Sequence, residues 1–383
     1  MRIVNASTLV GFALMSAVPS GFSYGLFSVG FPFLLHDVNA TFLQISLAES
    51  ASMILAFAVL SKTLKTRVKV LGVIDTFILI ATRFLFTLSY NPIQALSTYV
   101  VGYIASAVYD VIVVSAVLDS VKKYRATSLG MISSLKFIVS SASPIVGASL
   151  MSFTGVRGLL LTNAFLAVGY LPLVLKFTQA PEKEVIGLFE LAHKYKYSLL
   201  FVLIMSLGGF LGSMYVTYER ILGVYLGAFP AWVIGAYTSI ESILITVTTP
   251  IIGFITDKIR KRFMIPVMND ILNIPYALSV IHGATSKNLL LYLSAPIYDA
   301  LMSATSTTST ALLKDLKAPT RQLIALNDAL GNLSAAAGAI FAGYLLDVGG
   351  AYLTLNIIVY ASIITIIVDL IALPKLYKIA SKK

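Results

Sequence analysis

The chain has 383 residues, 58% of them hydrophobic and only 12% charged, with a mean hydropathy of +0.89. A soluble domain carries about 25% charged residues, so half that share over this length excludes an ordinary soluble protein and implies an integral membrane one. There is no cysteine, and His36, His193 and His282 are scattered; disulfides, thiol catalysis and cysteine-ligated metals are excluded, and no helical pair of histidine ligands exists.

A spanning helix needs roughly 20 apolar residues. In chain order, twelve segments satisfy this: about 8–35, 42–61, 68–89, 93–120, 126–151, 157–177, 198–226, 231–256, 263–284, 288–313, 321–346 and 351–374. The first begins after a single Arg2 and could pass for a signal peptide. Its apolar run reaches Leu35, however, well past an h-region of about 7–15 residues, and it is expected to stay as the first span. Most connections are short, so consecutive spans should be antiparallel neighbours. The longer polar stretch "TQAPEKEVIGLFELAHKYKY", 178–197, separates the sixth from the seventh. The expected organisation is an all-α protein with a six-helix bundle at 1–177, a linker at 178–197 and a second six-helix bundle at 198–383.

Lys and Arg orient the spans. The N-terminus, the even-numbered connections and the C-terminus hold 23 of the 28 basic residues. The odd-numbered connections hold Arg157 and Lys287, and Arg83, Lys136 and Arg220 lie within spans. This asymmetry predicts a cell-membrane protein with both termini cytoplasmic. It also explains the net charge of +11 as membrane-edge anchors spread over seven segments, which excludes a nucleic-acid groove.

Sliding the chain on itself by 196 residues aligns Lys62 with Lys258, Lys65 with Lys261, Asp119 with Asp315, Arg125 with Arg321, and Gly147 with Gly343. Each pair falls at the same place in corresponding spans. The two halves therefore read as parallel repeats of six helices.

The stretch "GFITDKIRKR", 253–262, closes the eighth span with five charges in its last six residues. It resembles the signature of the major facilitator superfamily, roughly G-x-x-x-D-[RK]-x-x-x-[RK], with Gly253, Asp257, Lys258 and Arg262 at the matching positions. The first-half counterpart, "FAVLSKTLKTR" at 57–67, keeps Lys62, Lys65 and Arg67 but has Ser61 in place of the acid. The resemblance covers essentially the whole chain and implies twelve helices in two pseudo-symmetric bundles working by alternating access. It also implies a cytoplasmic latch, in which Asp257 accepts hydrogen bonds from free N–H groups opening the fifth span near Arg125. Asp119 and Asp315 would pair with basic loop residues near Arg125 and Arg321. The competing reading of Asp257 is a solvated loop acid. A second stretch, "GMISSLKFIVSSASPIVGA" at 130–148, is similar to the antiporter signature of drug exporters. Gly130, Pro144 and Gly147 match, while Val139, Ser143 and Ala148 replace glycines. An ordinary small-residue packing face with a proline kink fits it as well.

An ionisable side chain within a span costs about 2.5–3.5 kcal/mol on insertion scales and marks a functional candidate. At about 1.5 Å of rise per residue, Asp110, Lys136, Glu241 and Asp299 fall near the bilayer middle, with Arg83 at similar depth. Glu219 and Arg220 lie toward the outer end of the seventh span, and Asp75 and Asp270 in the inner third. Tyr99, Tyr103, Ser106 and Asp110 share one helical face, as do Tyr292, Asp299, Ser303 and Ser306; Tyr237 and Glu241 are four apart. Asn332 is the repeat partner of Lys136. The resemblance implies that these faces converge on one central site. The alternatives are structural: Arg83 or Lys136 neutralising Asp110, and Asp75 and Asp270 bonding between helices.

Proton-coupled export of lipophilic or cationic small molecules accounts for the acids and the partial antiporter signature. A proton-coupled symporter or facilitator of sugars or organic acids is the alternative, and a lipid flippase or non-transporting sensor is a third. No nucleotide loop, metal cluster or nucleophile–base spacing is present, so neither an enzyme nor a cofactor is expected. The expected partners are a small-molecule substrate, protons and the lipid bilayer, with the protein a monomer.

Overall fold

The computed structural model describes residues 6–63, 68–120, 125–170, 193–258, 263–309, 312–313, 316–317 and 320–381. These are helical almost throughout. Among them there is no strand, only an isolated bridge between Leu316 and Ser381.

The helices are α1 (Ala6–Asp37), α2 (Phe42–Thr63), α3 (Val68–Thr87), α4 (Pro92–Ser120), α5 (Arg125–Ala167), α6 (Lys196–Val216), α7 (Glu219–Tyr225), α8 (Ala231–Lys258), α9 (Met264–Ala277), α10 (Leu289–Ser309) and α11 (Thr320–Ala380). Where their residues are described, the twelve predicted segments are mainly helical, with departures at 88–89, 217–218, 226, 263 and 288. Five stretches among the described residues are long and apolar enough to cross a membrane, Lys196–Tyr225 and Met264–Thr285 among them. The fifth and sixth segments, expected to be separated by a short loop, are two helices that meet within α5 at a turn made by Gly155. The eleventh and twelfth likewise meet within α11, at Gly350.

Local chemistry sets the other boundaries. Thr41 and Gln44 at the start of α2 form a reciprocal capping box, with Gln44 N–H donating to Thr41 Oγ1 at 3.2 Å and Thr41 N–H to Gln44 Oε1 at 3.1 Å. Asn91 and Asn288 accept from the backbone N–H groups of Gln94 and Leu291, at 2.9 and 3.1 Å, capping α4 and α10. The seventh segment is broken into α6 and α7 at Thr217–Tyr218. The ninth passes from α9 into a π-turn at Leu278–His282, just after Pro275, whose missing N–H disturbs the helical ladder.

The chain divides into two compact units. One comprises Met1–Ala40, Ala51–Glu182 and Phe229–Ile243; the other comprises Thr41–Ser50, Lys183–Ala228 and Leu244–Lys383. In the first unit α1 packs on α5, and α3 packs on α4 and α5; in the second α6 packs on α11, and α9 on α10 and α11. The pairings repeat with the chain order, as expected of two parallel repeats. Small residues bring the paired helices close. A Cβ on Gly25 of α1 would fall 1.8 Å from Ser143 Oγ, and one on Gly338 of α11 would fall 2.1 Å from the Phe210 carbonyl oxygen of α6. The motif at 130–148 therefore has a packing role in the first unit: Ser143 and Gly147 face α1, and a Cβ on Gly235 of α8 would lie 2.8 Å from the Pro144 carbonyl oxygen.

Candidate functional site

The second unit holds a continuous polar network buried among its helices. The break at Thr217–Tyr218 leaves Glu219 at the first position of α7, 2% exposed. Its Oε1 lies 2.8 Å from Arg220 Nη2, and its Oε2 accepts a hydrogen bond from the Tyr276 hydroxyl. Its backbone carbonyl, beside the break, accepts from the Tyr292 hydroxyl of α10 at 2.9 Å. Interrupted spanning helices with polar groups at the break are a recurrent way to build a buried binding site.

From there the network runs along α9. The Tyr215 and Tyr276 rings meet edge to face at 4.9 Å. The Tyr215 hydroxyl donates to Asn273 Oδ1 and lies 3.7 Å from Met302 Sδ. Asn273 Nδ2 reaches Asp270 Oδ1 at 3.4 Å, and Asp270 is close enough to Asp369 of α11 for the two carboxyl groups to act on one another. Asp299 is close enough to Tyr215 to act on it electrostatically. Thr305 of α10 donates to Asn269 Oδ1 at 2.9 Å.

The first unit carries a different arrangement. Phe27 and Phe31 of α1, Phe86 of α3, and Tyr99 and Tyr103 of α4 form a chain of ring contacts, Phe31 to Tyr99 at 4.8 Å and Tyr99 to Tyr103 at 6.1 Å. Beside them Arg83 donates to Ser23 Oγ and to Asn163 Oδ1, the latter at 3.0 Å, and Ser23 donates to Asn163 at 2.8 Å. Glu241, 7% exposed, stands next to Ser242, whose Oγ accepts from Ser140 Oγ of α5 at 3.2 Å.

Of the residues singled out in the sequence, Glu219 and Asp299 join the second unit's network, and Tyr292 and Asp270 with them. In the first unit Tyr103 joins the ring cluster, and Arg83 has Ser23 and Asn163 as partners. Glu241 is buried on α8 and Asn332 is exposed on α11; Gly253 lies in α8. The side chains of Asp110, Asp119, Arg125, Lys136, Asp257, Lys258 and Arg321 lie outside the described residues, as do Arg262 and Asp315 entirely. Sequence reasoning missed Tyr215, Asn273, Tyr276 and Asn163, which carry no charge. It also missed Asp369, a lone acid in the run "IITIIVDLIAL", which the cost of charge in a membrane flags by itself.

The sequence profile of the Major Facilitator Superfamily matches residues 13–322. No curated protein matches the chain. Among solved structures it is similar to the nucleoside transporter NupG, with TM-score 0.75 at 14% identity, covering 95% of this chain and 98% of that one. It is similar to a bacterial homolog of the human lysosomal transporter Spinster in an inward-facing, unoccupied conformation, with TM-score 0.67 at 13% identity, covering 99% and 97%. It is also similar to a POT family transporter in complex with a thioalcohol-conjugated peptide, with TM-score 0.72 at 14% identity, covering 96% of each chain. At these identities the likeness is one of fold. The profile match over most of the chain, together with repeated helix pairings, places this multi-pass membrane protein in the major facilitator superfamily, as a transporter of small molecules rather than an enzyme.

Proposed function

We propose that the chain is a proton-driven exporter of lipophilic or cationic small molecules. In this reading two bundles, 1–177 and 198–383, joined by the linker 178–197, work by alternating access. The protein is a monomer in the cell membrane with both termini cytoplasmic, as its Lys and Arg distribution supports. The substrate and proton groups are Asp110, Lys136, Glu241, Asp299 and Glu219, with Tyr103, Asn332 and Arg83 beside them. The latch is built from Gly253, Asp257, Lys258 and Arg262 with Asp119, Arg125, Asp315 and Arg321.

One observation carries the reading: the described spanning helices are rich in acid and poor in free base. Of the side chains described well inside the predicted spans, Glu49, Asp75, Glu219, Glu241, Asp270, Asp299 and Asp369 are acidic, against Arg83 and Arg220. Arg83 is held by Ser23 and Asn163, and Arg220 by Glu219. An acidic interior favours a cation or a proton, and a carboxylate that must choose between them couples their movements. A second reading, proton-coupled uptake of a nucleoside-like solute, is favoured by the rings of Phe27, Phe31, Tyr99 and Tyr103, which offer planar faces to a base.

Proteoliposomes with an imposed proton gradient separate the two. Ethidium should move against the proton flux and stop when the gradient is collapsed. Ethidium movement that is indifferent to the gradient sinks the exporter reading, and co-accumulation of uridine with protons selects the second.

A further inference from the structure

Asp270 of α9 and Asp369 of α11 are 3% and 1% exposed, on helices that pack together, and their carboxyl groups are close enough to act on one another. Two buried carboxylates so close repel each other and neither can donate to the other, so the pair is at ease only when one of them carries a proton. Among the described residues neither acid meets a basic side chain. Asp369 Oδ1 is buried and has no hydrogen-bond partner.

Among the described residues the surroundings leave no other source of compensation. From α6 the nearest titratable group is Tyr215, which reaches Asp270 through Asn273. Glu219 and Arg220 of α7 neutralise one another, and α10 contributes Asp299, a further acid near Tyr215. One helical turn from each acid, Val267 and Leu373 belong to a buried apolar cluster with Phe201, Val202, Leu312 and Leu323. Gly208 of α6 makes room for the pair: a Cβ there would lie 2.9 Å from Asp270 Oδ1.

We propose that Asp270 and Asp369 form a proton-binding site of the second unit, holding one proton between them and linked to the Glu219 site through Asn273 and Tyr215. With the proton in place α9 and α11 are tied together. Once it leaves, two like charges face each other in an apolar setting, and the helices must separate or re-protonate. The site ties proton occupancy to the packing of the unit that carries Glu219 and Asp299. It rests on the proton-driven reading above and names a group through which the proton acts.

The test is infrared spectroscopy with proton counting on the full-length protein in proteoliposomes. On a jump from mildly acidic to mildly alkaline pH, the wild type should lose a protonated-carboxyl band and release one more proton per molecule than the double variant Asp270→Asn/Asp369→Asn. Equal release and an unchanged band overturn the proposal. If the double variant does not fold, Gly208→Ala serves, because its methyl group crowds Asp270; the band should shift, and a band that stays put overturns the proposal. Sodium that prevents re-protonation in the wild type but not in the double variant would make this a metal-cation site and also overturn it. Ethidium flux on the same vesicles keeps the two ideas apart. A missing band with gradient-driven flux intact refutes the pair alone. A band lost in the double variant, with wild-type flux indifferent to the gradient, establishes the pair and refutes the exporter reading.

Discussion

Gly155 and Gly350 adopt the same backbone conformation, φ 70° and ψ 177° in one and φ 72° and ψ 178° in the other. They lie 195 residues apart, the separation that also relates Asp75 to Asp270. Each is the whole connection between two predicted spans, so the two repeats turn the same corner with a single residue. That region of backbone space is essentially restricted to glycine and costs other residues about 1–3 kcal/mol.

A Cβ at either position would meet nothing within 4 Å, so substitution strains the backbone without a clash. Gly155→Ala and Gly350→Ala should each lower the melting temperature by a similar amount, corresponding to about 1–3 kcal/mol. Unequal losses would show that the two corners are not equivalent. Wild-type melting in either variant would show that the corner relaxes at no cost.

Two residues beside the Gly155 and Gly350 corners hold helix ends. Arg157, just past the Gly155 corner, donates from Nη1 to the Thr87 carbonyl at 2.7 Å and from Nη2 to the Ser89 carbonyl at 2.8 Å, and its guanidinium lies 4.4 Å from the Tyr90 ring centroid. It satisfies carbonyls left open at the end of α3, where the helix dipole also favours a cation. Arg157→Gln should destabilise the protein by about 1–3 kcal/mol. Arg157→Lys should recover only part of this, because one ammonium cannot fork between two carbonyls. Thermal melting of the three proteins side by side checks the order.

Asp347 plays the matching part at the start of α2, where its carboxylate accepts from Phe42 N–H at 3.2 Å and Leu43 N–H at 2.8 Å. Asp347→Ala should cost about 1 kcal/mol as a lost N-cap, and Asp347→Asn less than half of that. The exposure of this end makes high salt narrow the difference between Asp347 and Asn, and melting at two ionic strengths reads this directly.

How much of this could be read from the chain depends on the kind of signal. Spans are legible because hydrocarbon demands about twenty apolar residues whatever the neighbours are, and α2, α4 and α10 begin at recognisable caps. The connections at 152–156 and 347–350 were legible as breaks between spans, but not that each turn is made by one residue, Gly155 or Gly350, since only its φ distinguishes it from a helix glycine. At the site, charge made Glu219 and Asp299 visible. Tyr215, Tyr276 and Asn273 act through hydrogen bonds across helices whose pairing the linear sequence does not contain. The motif at 130–148 shows the opposite limit: its small residues were legible, but only the neighbouring α1 and α8 reveal what they pack against.

Glu219 joins three elements at once, through Arg220, the Tyr276 hydroxyl and the Tyr292 hydroxyl. Glu219→Gln keeps the shape but removes the charge that holds Arg220. It should abolish gradient-driven ethidium movement while costing up to about 3 kcal/mol in stability, less because Arg220 is 19% exposed. Tyr276→Phe leaves the ion pair and removes one donor, so it should weaken transport several-fold with a loss of about 1–3 kcal/mol. Equal transport by Glu219→Gln and wild type would reduce the pair to scaffolding.

The latch proposed around Asp257 is open to a direct accessibility measurement, because the chain contains no cysteine. A single cysteine can be introduced at Ser61, the first-half position where the repeat lacks the acid, and labelled with a membrane-impermeant maleimide from the proposed cytoplasmic side. If Asp257 holds that side closed by accepting hydrogen bonds from the opening turn of α5, Asp257→Asn weakens charge-assisted bonds that are roughly twice as strong as neutral ones. The open population and the labelling rate should then rise several-fold. Asp257→Glu keeps the charge but lengthens the reach, so its rate should fall between the two. Labelling that is equal in all three proteins means that the acid is solvated at the membrane edge, and that "GFITDKIRKR" serves only to anchor and orient its span.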